Sequence, residues 1–444
     1  MRYTQLTPDN VRQMLSTIGA PSVDDLFSTI PKAIRRSAAL EIPAGVSELE
    51  LLDDLETLAS RNVACGRQVC FAGGGAYDHF IPSFVDALAG QSEFLTGYTP
   101  YQAEASQGIL QLFFEFQTMV CQLTGMEVAN ASMYEVASAT AEAAMMAIAV
   151  ARRDRVVVAS TVHPDTQTVL KTYCGQRGVE VVTVPGSEGV LDVDAVTKTL
   201  PGAAAVIVQS PNFFGCLERL DALVPPVHAA GAWVIVVADP VASGVLKPPG
   251  AFGVDLVVAE GQPLGIPLQY GGPYLGLMAG REAHIRKLPG RVVGQTTDAD
   301  GRRAFCLVLQ TREQHIKRER ATSNICTNQG LLAVRAAIYL AGMGRQGLGR
   351  VAQLCFQKSH DLARRIAALE GYELRFAGPF FKEFTVRTKR GVHGVMDACR
   401  ERGILAGVPL APFDERLGNC FTVAVTEKRT RREMDDLIAA LKGA

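Results

Sequence analysis

The chain has 444 residues, 48% of them hydrophobic and 20% charged, with 44 Lys and Arg against 45 Asp and Glu. That length exceeds what one hydrophobic core usually holds, so at least two domains are expected, and the apolar content argues against disorder. A formal net charge of −1 excludes a global field that would favour nucleic acid or an anionic membrane.

The first residues, Met1 to Asn10, contain no apolar targeting segment, and no later stretch is long and apolar enough to span a bilayer. The ten cysteines form no C-x-x-C and no Cys/His cluster at zinc spacing. Reduced thiols, no metal site and a cytoplasmic location are therefore expected. Residues 1–65 carry proline breaks at Pro8, Pro21, Pro31 and Pro43 without a strand pattern, and read as a helical N-terminal arm.

Residues 66–330 read as a large α/β domain. Its short, nearly all-apolar runs Arg155–Ser160, Val179–Pro185, Ala203–Gln209, Ala232–Asp239, Asp255–Ala259 and Tyr274–Ala279 alternate with helical patterns. Such runs are strands of a mostly parallel sheet covered on both faces. Residues 331–444 read as a small α+β C-terminal domain: helix Leu331–Ala341, strand Phe384–Arg387, helix Val392–Arg402, strands Ile404–Val408 and Cys420–Val425, and helix Arg431–Leu441.

This layout is shared by fold-type-I pyridoxal-phosphate enzymes, whose cofactor needs an anion cradle at a helix start, a stacking group, a carboxylate for the pyridinium and a Schiff-base lysine. Asp239, ending the strongest strand, stands where the pyridinium partner would be, and His163, just past another strand, where a ring-stacking group would be. Each has a plainer reading, Asp239 as a turn cap and His163 as a locally bonded residue at a helix start. The helix start after Ser132 offers Ser138 and Thr140 as phosphate donors, but it lacks glycine and places Glu135 where an anion would be repelled. The lysine is missing: Gln262 and Pro263 occupy the region after the strand beginning at Asp255. Lys247, in a proline-stiffened loop before that strand, is a poor substitute.

The runs TGYTPYQ (Thr96–Gln102), QTMVCQLTG (Gln117–Gly125), NASMYE (Asn130–Glu135), LKPPG (Leu246–Gly250), GQPLGIP (Gly261–Pro267), GGPYLG (Gly271–Gly276), TREQHIKR (Thr311–Arg318) and RATSNICTNQ (Arg320–Gln329) resemble the N-terminal half of the glycine cleavage P-protein. The resemblance runs the length of the chain. It implies a split enzyme, glycine dehydrogenase (decarboxylating), in which a companion subunit carries the lysine and binds pyridoxal 5′-phosphate covalently, so the pocket of Asp239, His163, Ser138 and Thr140 in this chain is vestigial. It implies as partners glycine, a lipoylated H-protein that accepts the aminomethyl group, and a heterotetramer of two of each subunit. It also raises Thr96, Tyr98 and Tyr101, and Asn324 and Thr327 farther on, as residues lining the shared site. Two other readings stay open, a self-sufficient pyridoxal enzyme using Lys247 or another amine and a non-enzymatic binding or regulatory module.

Overall fold

The computed structural model describes residues 6–35, 42–95 and 99–443. By contact density the chain divides into two compact units, Met1–Val63 and Ala64–Ala444. In the first, helix Pro8–Ile18 is closed by a capping box of Thr7 and Asn10, and helix Glu48–Ala59 by one of Ser47 and Glu50. Neither helix buries a residue, although Met14, Ile18, Leu49, Leu52 and Leu55 are among their side chains.

The second unit is organised by a seven-stranded sheet of β1 (Val128–Ala129), β2 (Arg155–Ala159), β3 (Glu180–Val184), β4 (Ala205–Ser210), β5 (Trp233–Ala238), β6 (Leu256–Glu260) and β7 (Gly276–Gly280), in the spatial order β1-β7-β6-β5-β4-β2-β3. The strands from β3 across to β6 are parallel, and β7 runs antiparallel to both β6 and β1. All six apolar runs read as strands fall on β2 to β7 within two residues at each end. Val234, Ile235 and Val236 of β5 are completely buried, each worth about 1.5–3 kcal/mol of burial.

Helix α1 (Gln107–Thr124) packs on β1, β7 and a hairpin of β8 (Val292–Thr297) and β9 (Arg303–Val308). That hairpin has no counterpart in the sequence reading. Helix α2 (Val136–Ala151) crosses β4 to β7. Every residue from Ala137 to Ala147 is buried, as small residues on all sides allow. Helix α3 (Pro164–Gly175) follows β2.

The helix foreseen at Leu331–Ala341 is the start of a longer element, α4 (Gly330–Ala367), two helices joined across Gly344 at φ 60° and ψ −178°. Residues of α4 up to Leu348 pack in the core of the seven-stranded sheet, whereas Leu362, Ala363 and Ile366 belong to a second core. That core lies under a four-stranded antiparallel sheet of β10 (Tyr372–Leu374), β11 (Glu383–Thr388), β12 (Val408–Pro409) and β13 (Cys420–Ala424), in the order β10-β11-β13-β12. Helices α5 (Val392–Glu401) and α6 (Arg431–Gly443) cover it. The run read as one strand, Ile404–Val408, is two short pieces: Ile404–Leu405 pairs with Val69–Cys70, and β12 pairs with β13. No helix among the described residues is long and apolar enough to cross a membrane.

Candidate functional site

In the parallel sheet the connection from β2 turns outward to β3 and the chain then returns to β4, so the strand order reverses between β2 and β4. Open α/β sheets bind ligands at the carboxyl ends of the strands at such a switch point. Here those ends deliver His163 after β2, Gln209 on β4, Asp239 after β5 and Glu260 closing β6, and all four line one pocket. Gly75, Tyr77, Val136, Pro263, Lys382 and Glu383 complete its wall.

Lys382 is the residue that the sequence reading missed. Its side chain is 2% exposed, and its Nζ lies 2.7 Å from Asp239 Oδ2. The same ammonium sits 3.8 Å from the centre of the Tyr77 ring and 3.1 Å from His79 Nε2. Its charge is thus met by a carboxylate, an aromatic face and an imidazole lone pair, which together offset the cost of removing it from water. The only sequence signal is a charged Lys382–Glu383 pair among Phe380, Phe381 and Phe384, and it cannot tell a buried pair from an exposed one.

An ammonium donating to His79 Nε2 makes Nδ1 the protonated nitrogen, which donates to Glu427 Oε2 at 2.6 Å. Burial alone would raise the Glu427 carboxyl, but His79 and the backbone N–H of Phe80 outweigh it and hold it low. Cys355 Sγ lies 3.5 Å from the same Oε2. His79, Cys355 and Glu427 are close enough to hold a metal ion. With both imidazole nitrogens committed and Lys382 beside them, the group acts as the far end of an ion-pair chain instead.

Glu383 binds the loop of three consecutive glycines, Gly73–Gly75. Its Oε1 accepts Gly74 N–H at 2.9 Å and its Oε2 accepts the Tyr77 hydroxyl at 2.8 Å. Burial pushes both the Glu383 carboxyl and the Tyr77 phenol up. A Cβ on Gly73 would fall 2.4 Å from Glu383 Oε1, which is why the segment has no side chain there.

The residues singled out in the sequence meet here in part. Asp239 caps the turn, Oδ1 accepting Val241 N–H at 2.9 Å, while Oδ2 faces the crevice and is paired with Lys382. His163 is held at the start of α3: Nδ1 accepts Asp165 N–H at 3.1 Å and Nε2 donates to Gly74 O at 2.7 Å. Burial lowers its pKa, and its ring meets Phe213 edge-on at 4.9 Å. Ser138 and Thr140 turn inward on the helix, Ser138 Oγ donating to Glu135 Oε2 at 2.9 Å and Thr140 Oγ1 to Val136 O at 2.7 Å. Gln262 exchanges hydrogen bonds with the Tyr77 backbone. Lys247 is exposed, with its Nζ 4.3 Å from the Phe252 ring centre.

Thr96 and Tyr98 lie outside the described residues. Thr327 lines a second cavity of about 380 Å³ with Phe94, Ser132, Arg291 and Asn328. Tyr101, 45% exposed, borders it through Arg291, whose guanidinium carbon is 5.6 Å from the Tyr101 ring centre. Asn324 is exposed and does not line that cavity. A wider cleft of about 570 Å³ opens beside Phe213 and Phe376, but its Arg375 and Arg416 are already paired with Glu188 and Asp414.

Pyridoxal phosphate does not fit the switch-point pocket. About 60 Å³ remains there, against roughly 300 Å³ for a small ligand site. Lys382 stands in front of Asp239, and Glu135 and Glu260 already accept the backbone N–H groups at the start of α2.

The strand order and the crevice place the chain in the fold-type-I pyridoxal-phosphate-enzyme class. The sphingosine-1-phosphate lyase of Burkholderia pseudomallei shares that fold at a TM-score of 0.67 and 19% identity, with 94% of this chain and 95% of that chain covered. Much more similar is the crystal structure of a glycine decarboxylase (P-protein) of the glycine cleavage system in inhibitor-bound form, at a TM-score of 0.91 and 41% identity over the whole of both chains. The probable glycine dehydrogenase (decarboxylating) subunit 1 of Desulforamulus reducens is 48% identical over 445 residues, covering all of both chains. The sequence model described as "Glycine cleavage system P-protein" matches residues 1–441, and the chain belongs to that family.

Proposed function

We propose that this chain is the subunit of a split glycine decarboxylase that completes the reaction centre without carrying the cofactor. With its companion it decarboxylates glycine and passes the aminomethyl group to the lipoyl arm of the H-protein. The observation that carries the reading is at the switch point, where Gln262 and Pro263 follow β6 and Lys382 is committed to Asp239. A chain with the fold and without a usable amine needs a partner that supplies one. In the same reading the companion binds pyridoxal 5′-phosphate covalently, and two copies of each subunit assemble.

This chain then contributes surface and position. Thr327 lines and Tyr101 borders one cavity at the start of α4, and they, with Thr96, Tyr98 and Asn324, are proposed to line the companion's site across the interface. The exposed apolar side chains of helices Pro8–Ile18 and Glu48–Ala59 support a partner-binding role for the N-terminal unit, because helices of 11 and 12 residues are marginal without tertiary packing.

Release of labelled CO2 from carboxyl-labelled glycine is the test, run on this chain, on the companion and on both with H-protein. Activity is expected only from the mixture. Turnover by this chain alone would return the reaction centre to it and overturn the division of labour.

A further inference from the structure

The switch-point pocket is closed by the chain's own charges, and their arrangement has a pattern. A pyridoxal phosphate carries a cationic ring nitrogen at one end and an anionic phosphate at the other, which this fold class meets with a strand-end carboxylate and a helix start. At the carboxylate end Asp239 Oδ2 holds the ammonium of Lys382 at 2.7 Å. At the helix end the carboxylate of Glu135 accepts Ser138 N–H at 3.1 and 3.2 Å, and the Ser138 hydroxyl donates to it at 2.9 Å. Glu260 Oε2 accepts Val136 N–H at 3.2 Å beside it.

We propose that Lys382 and Glu135 are internal surrogates for the two charged ends of the cofactor, and that Lys382, with Glu383 beside it, holds the C-terminal sheet closed on the central one. Lys382 immediately precedes β11 and reaches Asp239 beyond β5, while Glu383 binds Gly74 and Tyr77. Two consecutive residues therefore tie the four-stranded sheet to the end of the seven-stranded sheet and to the glycine loop. A ligand that supplies such contacts makes closure depend on its own concentration. Here the contacts are intramolecular, so the closed shape is set by the chain alone and is ready for a partner. This inference concerns only the pocket of this chain and does not depend on which subunit carries the cofactor lysine.

Binding of pyridoxamine 5′-phosphate to the full chain tests it. This probe cannot form an imine with a protein amine, and its fluorescence reports occupancy. The native chain is expected to show no saturable binding that Asp239→Asn removes. The Glu135→Ser/Lys382→Ala variant is expected to gain at least tenfold in affinity and to melt at higher temperature with the probe present. Native binding as tight as the variant's and lost in Asp239→Asn would overturn the proposal, as would a folded double variant that gains nothing. Should the double variant fail to fold, Glu135→Ser alone is titrated with inorganic phosphate. A rise in melting temperature beyond that of the native chain supports the surrogate role, and an equal response in both removes it. Glycine turnover with the companion is measured separately, so failure here and failure of the subunit assignment give different results.

Discussion

Replacing Lys382 with Met removes one charge from a buried pair and leaves the other. The Lys382 side chain is 2% exposed and that of Asp239 13%, so the abandoned carboxylate has little water to turn to. His79 Nε2 also loses its donor and Tyr77 its cation. Breaking a buried pair from one side costs about 3–5 kcal/mol. Unfolding entropy of about 2.1 cal/mol/K per residue over the unit Ala64–Ala444 converts that loss into a fall in Tm of roughly 4–6 °C. Scanning calorimetry of the native chain, Lys382→Met, Asp239→Asn and the double variant measures it. The double variant should recover more than about 1 kcal/mol relative to the sum of the singles, since neither partner is left charged and alone. A Lys382→Met protein within about 0.5 kcal/mol of native, or strictly additive singles, would refute the claim that the pair spans a dry pocket.

Other expectations follow from the same geometry. Gly73→Ala places a Cβ 2.4 Å from Glu383 Oε1 and 2.7 Å from Ala424 Cβ, an overpacking worth about 1–3 kcal/mol, and an unchanged denaturant midpoint would show that the loop can move aside. Burial raises the Glu260 carboxyl to about 7, against the N–H groups of Leu275, Val136 and Gln262. With the folded pKa above the unfolded one, its contribution to stability is full below about pH 4.5 and is lost as pH rises through about 7. Glu260→Gln should therefore flatten the fall in Tm over that window, and parallel profiles for the two proteins would contradict the shift. Tyr101→Ala should lower glycine turnover of the assembled enzyme about tenfold, or ~1.4 kcal/mol of barrier, with assembly intact by gel filtration; unchanged turnover removes Tyr101 from the site.

The strands were legible because each is a short apolar run buried on both faces, as Val156–Val158 and Val234–Val236 are. Hairpin β8–β9 was not, because Gln295, Thr296 and Thr297 face water and its outer half lacks an apolar run. Gly344 conceals the true length of α4, since a glycine there reads as a stop while the chain resumes its helix after one residue at positive φ. Within the site, Asp239 and His163 could be found from their places after strands, and the missing lysine from Gln262 and Pro263. Lys382, His79 and Glu427 could not be found that way. Their contacts cross more than 300 residues of sequence, and no local spacing encodes that approach. Glu135 was recognised as hostile to an anion, and the structure adds the reason for its presence, which is to cap α2 itself.

The most direct measurement is borohydride reduction of an equimolar mixture of this chain, its companion and pyridoxal 5′-phosphate, followed by intact-mass analysis of each chain. The expected result is a pyridoxyl adduct on the companion alone, with this chain at its unmodified mass. A stoichiometric adduct on this chain at Lys382 or Lys247 would contradict the claim that its own pocket is closed and that its part in the enzyme is to complete another's.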